Sequence, residues 1–450
     1  MTNAPTNAST MPTILRKKGL PVRGHGTLAA LEIYGLRMQR TAATPESRHR
    51  LFDGIRGVAI VLVILSHGWA LWPTDDLLSN EWLKPFFTSG NFAVSIFFIV
   101  GGFLATRSIL RHQDSGAELH IGVIAVRRYV RLSGQLLVLL LVVLIVTATD
   151  DASSYPENET GTSALRIATY TWNWYLVSSP LSARPDLGHL WYLSVDFQIF
   201  LLVLVLAYLM ARHRAWLAAT LGALLLASIA WRVHVYDSEG AYQALLQTTT
   251  RMDAPLTGAL AAVALTYVGG WRRFTRPLLV LSSVALVPVL ILADDGDGFV
   301  GWPGALLDAT LLVFVVTAVV ATAPRLLDRI LGNPALTVLG RRSLSLYLWH
   351  YPIFWFVSRH TVDWSWEMRT VVALMATFVI AELSERLVET RVQRLLQSPR
   401  WGELDGGIPR YVVGRARRWW HEPGGGTSAG TPADREDHQV RNQAERDLPA

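Results

Sequence analysis

An all-α fold, a polytopic helical bundle of about ten transmembrane helices, is predicted by three observations. Ten continuous apolar runs recur along the chain, each spanning or nearly spanning a hydrocarbon core about 30 Å thick. Apolar residues make up 51% of the 450, seventeen residues are Trp, and the mean hydropathy is positive. The links between the runs alternate between basic and acidic. Because the runs are unbroken rather than alternating polar and apolar, an outer-membrane barrel is excluded.

Residues 1–50 form a basic N-terminal segment, expected to be largely disordered, with an amphipathic pattern near Thr27–Gln39. It contains no apolar core ahead of a small-residue cleavage site, so no cleaved signal peptide is expected. A single membrane domain then covers residues 51–395. Span one, 52–73, leads from the basic segment to Asp75, Asp76 and Glu81, and span two, 91–110, returns to Arg107 and Arg111. Span three, 134–149, leaves Arg127, Arg128 and Arg131 for Asp150 and Asp151, and span four, 190–211, returns to Arg212 and Arg214. Spans five and six, 216–234 and 252–270, bring the chain back to Arg272, Arg273 and Arg276. Span seven, 276–293, reaches Asp294, Asp295 and Asp297, and span eight, 302–323, returns to Arg325, Arg329, Arg341 and Arg342. Span nine, 343–360, reaches Asp363 and Glu367, and span ten, 368–390, closes the series. The positive-inside rule then places both termini in the cytoplasm and the protein in the cytoplasmic (inner) membrane as a multi-pass protein. The tail, 396–450, carries a basic, aromatic stretch (Tyr411, Arg415, Arg417, Arg418, Trp419, Trp420) suited to lying on anionic lipid. Beyond Pro423 it is Gly-rich and charged, a composition expected to be disordered.

The net charge of +6 arises mainly from arginines flanking the spans, so the partner is the lipid bilayer and no nucleic acid is expected. The absence of cysteine excludes disulfides, thiolate nucleophiles and thiolate metal ligands. No metal is expected. The longest outer link, 150–189, contains Tyr170, Trp172, Trp174 and Tyr175, which read either as an interfacial aromatic belt or as a lid over an acceptor.

The chemistry concentrates in a few ionisable residues inside the spans, where such groups are costly. Arg56 and His67 lie eleven residues apart, which on a helix returns them to within about 20° of one face, roughly 16 Å apart along the axis. Arg56 alone is also explained by snorkelling to the headgroups; His67 is not, being about 22 Å up the span. Asp196 lies about 9 Å down span four, at nearly the same level. A His beside a carboxylate is a common general base, and the same pair also serves as a polar lock between helices. At the inner mouth, Arg56 with Arg128 and Arg131, one helical turn apart, suits a phosphorylated cytoplasmic ligand; topology alone also accounts for bases there. His350, inside the run Leu346–Pro352, is mid-membrane and reads as a structural hydrogen bonder or a substrate contact, and Pro352 frees a backbone carbonyl nearby. Arg251 and Asp253 open span six and read as an exposed ion pair.

These residues fall in motifs that resemble the acyltransferase-3 family of integral-membrane acyltransferases. Leu51–Gly57, with ten residues between Arg56 and His67, is similar to the family's opening. Phe97–Leu104 is similar to its second-span motif, with Gly101 in place of the family's Ser. Arg128-Tyr129-Val130-Arg131 matches its Arg-x-x-Arg element. His189–Asp196 resembles its Trp-Ser-Leu-x-x-Glu segment, with Asp196 in place of Glu. Arg251 through Gly258 and the Tyr-Leu-Trp-His-Tyr-Pro run also fit, so the resemblance covers roughly residues 50–395 in order. It implies transfer of an acyl group, usually acetyl, from acetyl-CoA or another acyl-CoA to a hydroxyl of a carbohydrate or glycolipid acceptor of the cell envelope or a secreted product. His67, Asp196 and Arg56 are then the expected catalytic residues. Arg56, Arg128 and Arg131 would bind the donor, and Trp191, His350 and Tyr351 would contact the substrate. A transporter or flippase for a lipid-linked or sugar substrate is the alternative, but the paired broken helices of two halves are not evident.

Overall fold

The computed structural model describes residues 45–73, 79–80, 82–116, 118–150, 157–292, 297–398 and 401. Regular structure among these residues is entirely helical. The expected disorder of residues 1–50 and 396–450 falls almost wholly outside the described residues, as do the Thr27–Gln39 pattern and the Tyr411–Trp420 stretch.

The described residues begin with α1 (Pro45–Leu71), followed by the short α2 (Lys84–Thr88), α3 (Gly90–Asp114) and α4 (Ile121–Thr149). Two short helices follow, α5 (Glu157–Ala168) and α6 (Trp172–Ser178), and a 3-10 turn, Pro185–Leu190, leads into α7 (Trp191–Leu209). Next come α8 (Arg214–Glu239), the short α9 (Ala241–Leu246) and α10 (Thr248–Arg251), then α11 (Asp253–Ala264). The remaining helices are α12 (Arg272–Leu292), α13 (Asp297–Val300), α14 (Trp302–Val320), α15 (Arg325–Leu331), α16 (Pro334–Arg341), α17 (Ser343–His360), α18 (Trp366–Ser384) and, after a π-helical turn at Glu385–Glu389, α19 (Thr390–Leu396).

Among the described residues, seven helices are long and apolar enough to cross a membrane: those ending at Leu71, Asp114, Thr149, Leu209, Glu239, Leu292 and Val320. The other three expected spans are helices with a reason to fall short of that standard. α11 has only 12 residues. α17 carries Arg359 and His360 in its last turn as well as His350. α18 carries Glu367, Arg369 and Glu382 within its 19 residues.

Tight contacts lock the bundle. A Cβ on Gly258 of α11 would overlap the carbonyl oxygen of Ile99 in α3, and one on Gly102 would overlap the carbonyl oxygen of Pro255. Only glycine allows backbones to approach this closely, as in packed membrane helices generally.

Three expectations change. Helix α4 begins at Ile121 rather than near residue 134, so Arg127, Arg128 and Arg131 are part of the helix rather than of the link before it. Arg is a good helix former, so the basic residues continue the helix towards its N-terminus. Within the link at 150–189, residues 157–189 are folded against α4 and α7. There Tyr170 (φ 55°) and Trp172 are buried, while Trp174 is exposed. The Tyr170 hydroxyl meets that of Ser133 at 3.0 Å, its ring packs 4.6 Å from Phe197, and the Trp172 indole N–H donates to the Leu187 carbonyl at 3.0 Å. With their polar atoms paired, both rings bury without penalty, so these two form core rather than a belt or a lid. Finally, Arg251 and Asp253 are fully buried, not exposed. Asp253 pairs with Arg232 of α8, and the Arg251 guanidinium lies over the rings of Phe299 (4.6 Å) and Trp191 (5.6 Å).

Candidate active site

Three imidazoles meet inside the bundle. His67 comes from α1, His350 from α17, and His189 from the 3-10 turn before α7. His67 Nδ1 lies 2.8 Å from His350 Nε2, and the two rings stack with centroids 5.0 Å apart. His350 Nδ1 faces two carbonyl oxygens of its own helix, those of Tyr347 at 2.7 Å and Leu346 at 3.1 Å. A carbonyl oxygen only accepts, so Nδ1 of His350 carries the proton. In the neutral ring its Nε2 is then an acceptor, and His67 Nδ1–H must be the donor. His67 Nε2 then keeps its lone pair and is the nitrogen available to act as a base.

Helix α17 supplies more than His350. Pro352 has no N–H, so the carbonyl of Leu348, four residues earlier, has no helical donor. His189 Nε2–H donates to that carbonyl at 3.2 Å. Tyr347, the residue before Leu348, donates its hydroxyl to the His189 carbonyl. Tyr351 packs its ring 4.5 Å from that of His67 and 5.0 Å from that of His189. A cavity of about 250 Å³ opens beside His67, bordered by Ser66 of α1, Asn91 of α3, Trp191 of α7, Tyr242 of α9 and Tyr347 of α17. His67, His350, Trp191 and Tyr351 are thus brought together. His189 was not foreseen as a site residue. The signal available for it was Pro352, whose orphan carbonyl needed a donor.

Asp196 does not join this group, which corrects the expected pairing with His67. Its Oδ2 lies 2.5 Å from Arg128 Nη2, and the Arg128 guanidinium also sits 4.8 Å over the Phe200 ring. The reason is axial. The His189 turn is the level of His67, and Asp196 is seven residues further along, about 10 Å towards the basic end of the bundle. There the early start of α4 delivers Arg128. The paired side chains are mostly buried, at 20% and 8% exposure, so each needs the other.

The basic end also holds Arg56 and Arg131. Arg56 Nη2 donates to the Ser343 hydroxyl at 2.8 Å. Arg131 is within electrostatic reach of Arg56, and Arg128, Glu385 and Glu389 are within reach of Arg131. The two acids come from the π-helical turn after α18. Glu385 accepts from the Ser345 hydroxyl at 2.6 Å, and Glu389 from Gln135 at 3.2 Å. The three expected donor-binding arginines therefore share one end of the bundle, with a carboxylate or a serine hydroxyl on two of them.

Comparison with known proteins matches residues 50–383 to the family model described as an acyltransferase domain, acyltransferase-3. The chain belongs to this family. Similar curated proteins include O-acetyltransferase OatA of Staphylococcus aureus (strain NCTC 8325 / PS 47), 24% identical over 361 residues, covering 76% of this chain and 57% of OatA. Another, of Staphylococcus aureus (strain COL), bears the name "Putative O-acetyltransferase SACOL0978" and is 26% identical over 361 residues, covering 75% of this chain and 56% of its own length. The chain thus spans little more than half the length of the curated relatives it matches. No solved structure matches. Within the acyltransferase-3 pattern the two departures noted above are neighbours: a Cβ on Gly101 would stand 3.4 Å from Asp196 Oδ1.

Proposed function

We propose that this acyltransferase-3 member is a multi-pass enzyme of the cytoplasmic membrane, with ten spans and both termini inside. It moves an acyl group, usually acetyl, from cytoplasmic acyl-CoA to a hydroxyl of a carbohydrate or glycolipid acceptor at the outer side. The observation that carries this reading is the His67 imidazole, with Nδ1 engaged by His350 and the Nε2 lone pair left over, beside a cavity of about 250 Å³. A buried base next to a ligand-sized space suits proton removal from an alcohol better than it suits a structural contact.

The donor's phosphates would dock at the basic end on Arg56, Arg128 and Arg131, with guanidinium forks matched to phosphate oxygens. Its pantetheine arm would run along α1 from Arg56 towards His67, about 16 Å. At the cavity the acceptor hydroxyl gives its proton to His67 Nε2 as its oxygen bonds to the thioester carbon. The carbon–sulfur bond then breaks, and the proton passes from His67 to the departing thiolate, so the free thiol and the ester are the only products. His350 accepts from His67 Nδ1–H throughout, and so shares the positive charge while the proton is held. Asp196 acts on Arg128 rather than on the base.

Purified protein in lipid nanodiscs, given acetyl-CoA and a hydroxylated acceptor, should release thiol and form an ester in equal amounts. His67→Ala should lower that rate by about 10²–10⁴-fold without loss of folded protein. Normal turnover by this variant would remove His67 from the mechanism, and movement of the acceptor across a membrane without thiol release would support a transporter instead.

A further inference from the structure

A second cavity lies on another face of α1 from the imidazoles. It is an apolar groove of about 640 Å³ bordered by α1, α12, α14 and α15, within the range of roughly 300–1,000 Å³ typical of ligand sites. Helix α1 lines it with Ile55, Val58 and Leu62. These stand roughly 130–150° round the helix from Arg56 and His67. Helix α12 packs along α14 and faces the groove with Val280, Val284 and Val287. Among the described residues of the wall, Ser283 alone has a polar side chain, and its hydroxyl donates to the Leu279 carbonyl of its own helix at 2.6 Å. A sugar or a nucleotide would find almost no partner here, whereas a hydrocarbon chain needs none. Helix α12 is long and apolar enough to cross a membrane, and Val284 and Val287 are exposed, so the groove opens towards lipid.

One end of this groove is charged. Arg276 lies one turn before Val280 on the same face of α12, and the two border one continuous surface with Val284. On α15, Leu326 and Ile330 line the groove, and Arg325 and Arg329 are their neighbours in sequence. All three arginines are exposed. Asp328, the acid of α15, turns its carboxylate to Gly332 instead. A Cβ on Gly54 would overlap the Leu331 carbonyl oxygen, so α15 packs at the end of α1 that carries Arg56. From Arg276 to Val287 is eleven residues, about 16 Å. That is the depth of one leaflet, half of a core about 30 Å thick. Cations at the mouth of an apolar slot of this depth match a molecule with a phosphate at one end and a hydrocarbon chain at the other.

We propose that the groove is a binding site for one anionic phospholipid. Arg276, Arg325 and Arg329 hold its phosphate, and an acyl chain lies between α1 and α12 along Val280, Val284 and Val287. The lipid fills the space beside the helix that bears Arg56 and His67, on a face that acyl transfer does not use.

The test uses the full-length protein in nanodiscs of phosphatidylcholine alone or of an equal mixture with phosphatidylglycerol, released into a mass spectrometer that counts retained lipid. The expected result is one phosphatidylglycerol kept per monomer, in preference to phosphatidylcholine. Arg276→Gln, Arg325→Gln and Arg329→Gln should each weaken that retention by about fivefold, and added salt should weaken it too. Val284→Trp places an indole in the slot from an exposed position and should expel the lipid with all three arginines intact. Thermal unfolding of each variant in the phosphatidylcholine discs checks that it is folded. Equal retention of both lipids, or retention unchanged in the triple glutamine variant, overturns the proposal. So does competition by glycerol phosphate as strong as by the intact lipid, which would mark a site for free phosphate. A dimer broken by Val284→Trp overturns it as well, because a second copy of the chain would then occupy the groove. The readout involves no acyl transfer, so failure here leaves that reading untouched.

Discussion

His67 depends on His350 for the state in which it can act. The Nδ1–Nε2 contact of 2.8 Å fixes both the ring and its tautomer. His350→Ala should therefore lower kcat by roughly 100-fold with little change in donor KM. His350→Gln, whose amide oxygen can accept the same proton, should recover part of the loss in the same assay. Asp196 answers to a different partner. Its removal strands the Arg128 cation where only 20% of the side chain is exposed. Asp196→Ala should thus cost about 3 kcal/mol of stability, read as a fall in thermal midpoint. The double variant Arg128→Ala with Asp196→Ala should recover much of that stability. A His67 partner would show no such recovery, so the cycle separates the two assignments.

The crossing of α3 and α11 is an element-scale feature, set by Gly102 and Gly258. Gly258→Ala would force the backbones apart and should destabilise the protein by about 1–3 kcal/mol, measured by thermal unfolding in detergent. Elements of this kind show which parts of the molecule could be read from the amino acids. The long helices were legible because hydropathy is a property of a continuous run, and a run such as Gly90–Asp114 needs no knowledge of its neighbours. His67 was legible for the same reason: its cost in hydrocarbon can be counted along one helix. Its partner was not. Depth along two helices placed Asp196 near His67, but depth does not say which way a side chain faces or where a neighbouring helix begins. The first turns of α4, carrying Arg128, took up the carboxylate. The burial of Tyr170 and Trp172 was hidden likewise, since a polar link of ordinary composition gives no sign that it folds back against α4 and α7. The buried pair of Asp253 and Arg232 joins residues 21 positions apart on different helices, and no local pattern announces it.

At the scale of the whole molecule, the polar interior is organised in levels. One end holds arginines facing Glu385, Glu389 and Ser343. Asp196 with Arg128 comes next, then the three imidazoles and the small cavity, with Arg251 stacked behind Trp191. A donor and an acceptor arriving from opposite faces would meet at the imidazole level without either crossing the whole bundle. The proline of α17 sits at that level. An alanine at position 352 would restore an amide hydrogen, which would recapture the Leu348 oxygen and close a gap in the helical ladder. The variant Pro352→Ala should melt at a higher temperature and yet turn over more slowly, since His189 would be evicted from its anchor. Heat resistance and catalysis would part company at one position, and a screen that selected only for sturdiness would keep the poorer enzyme.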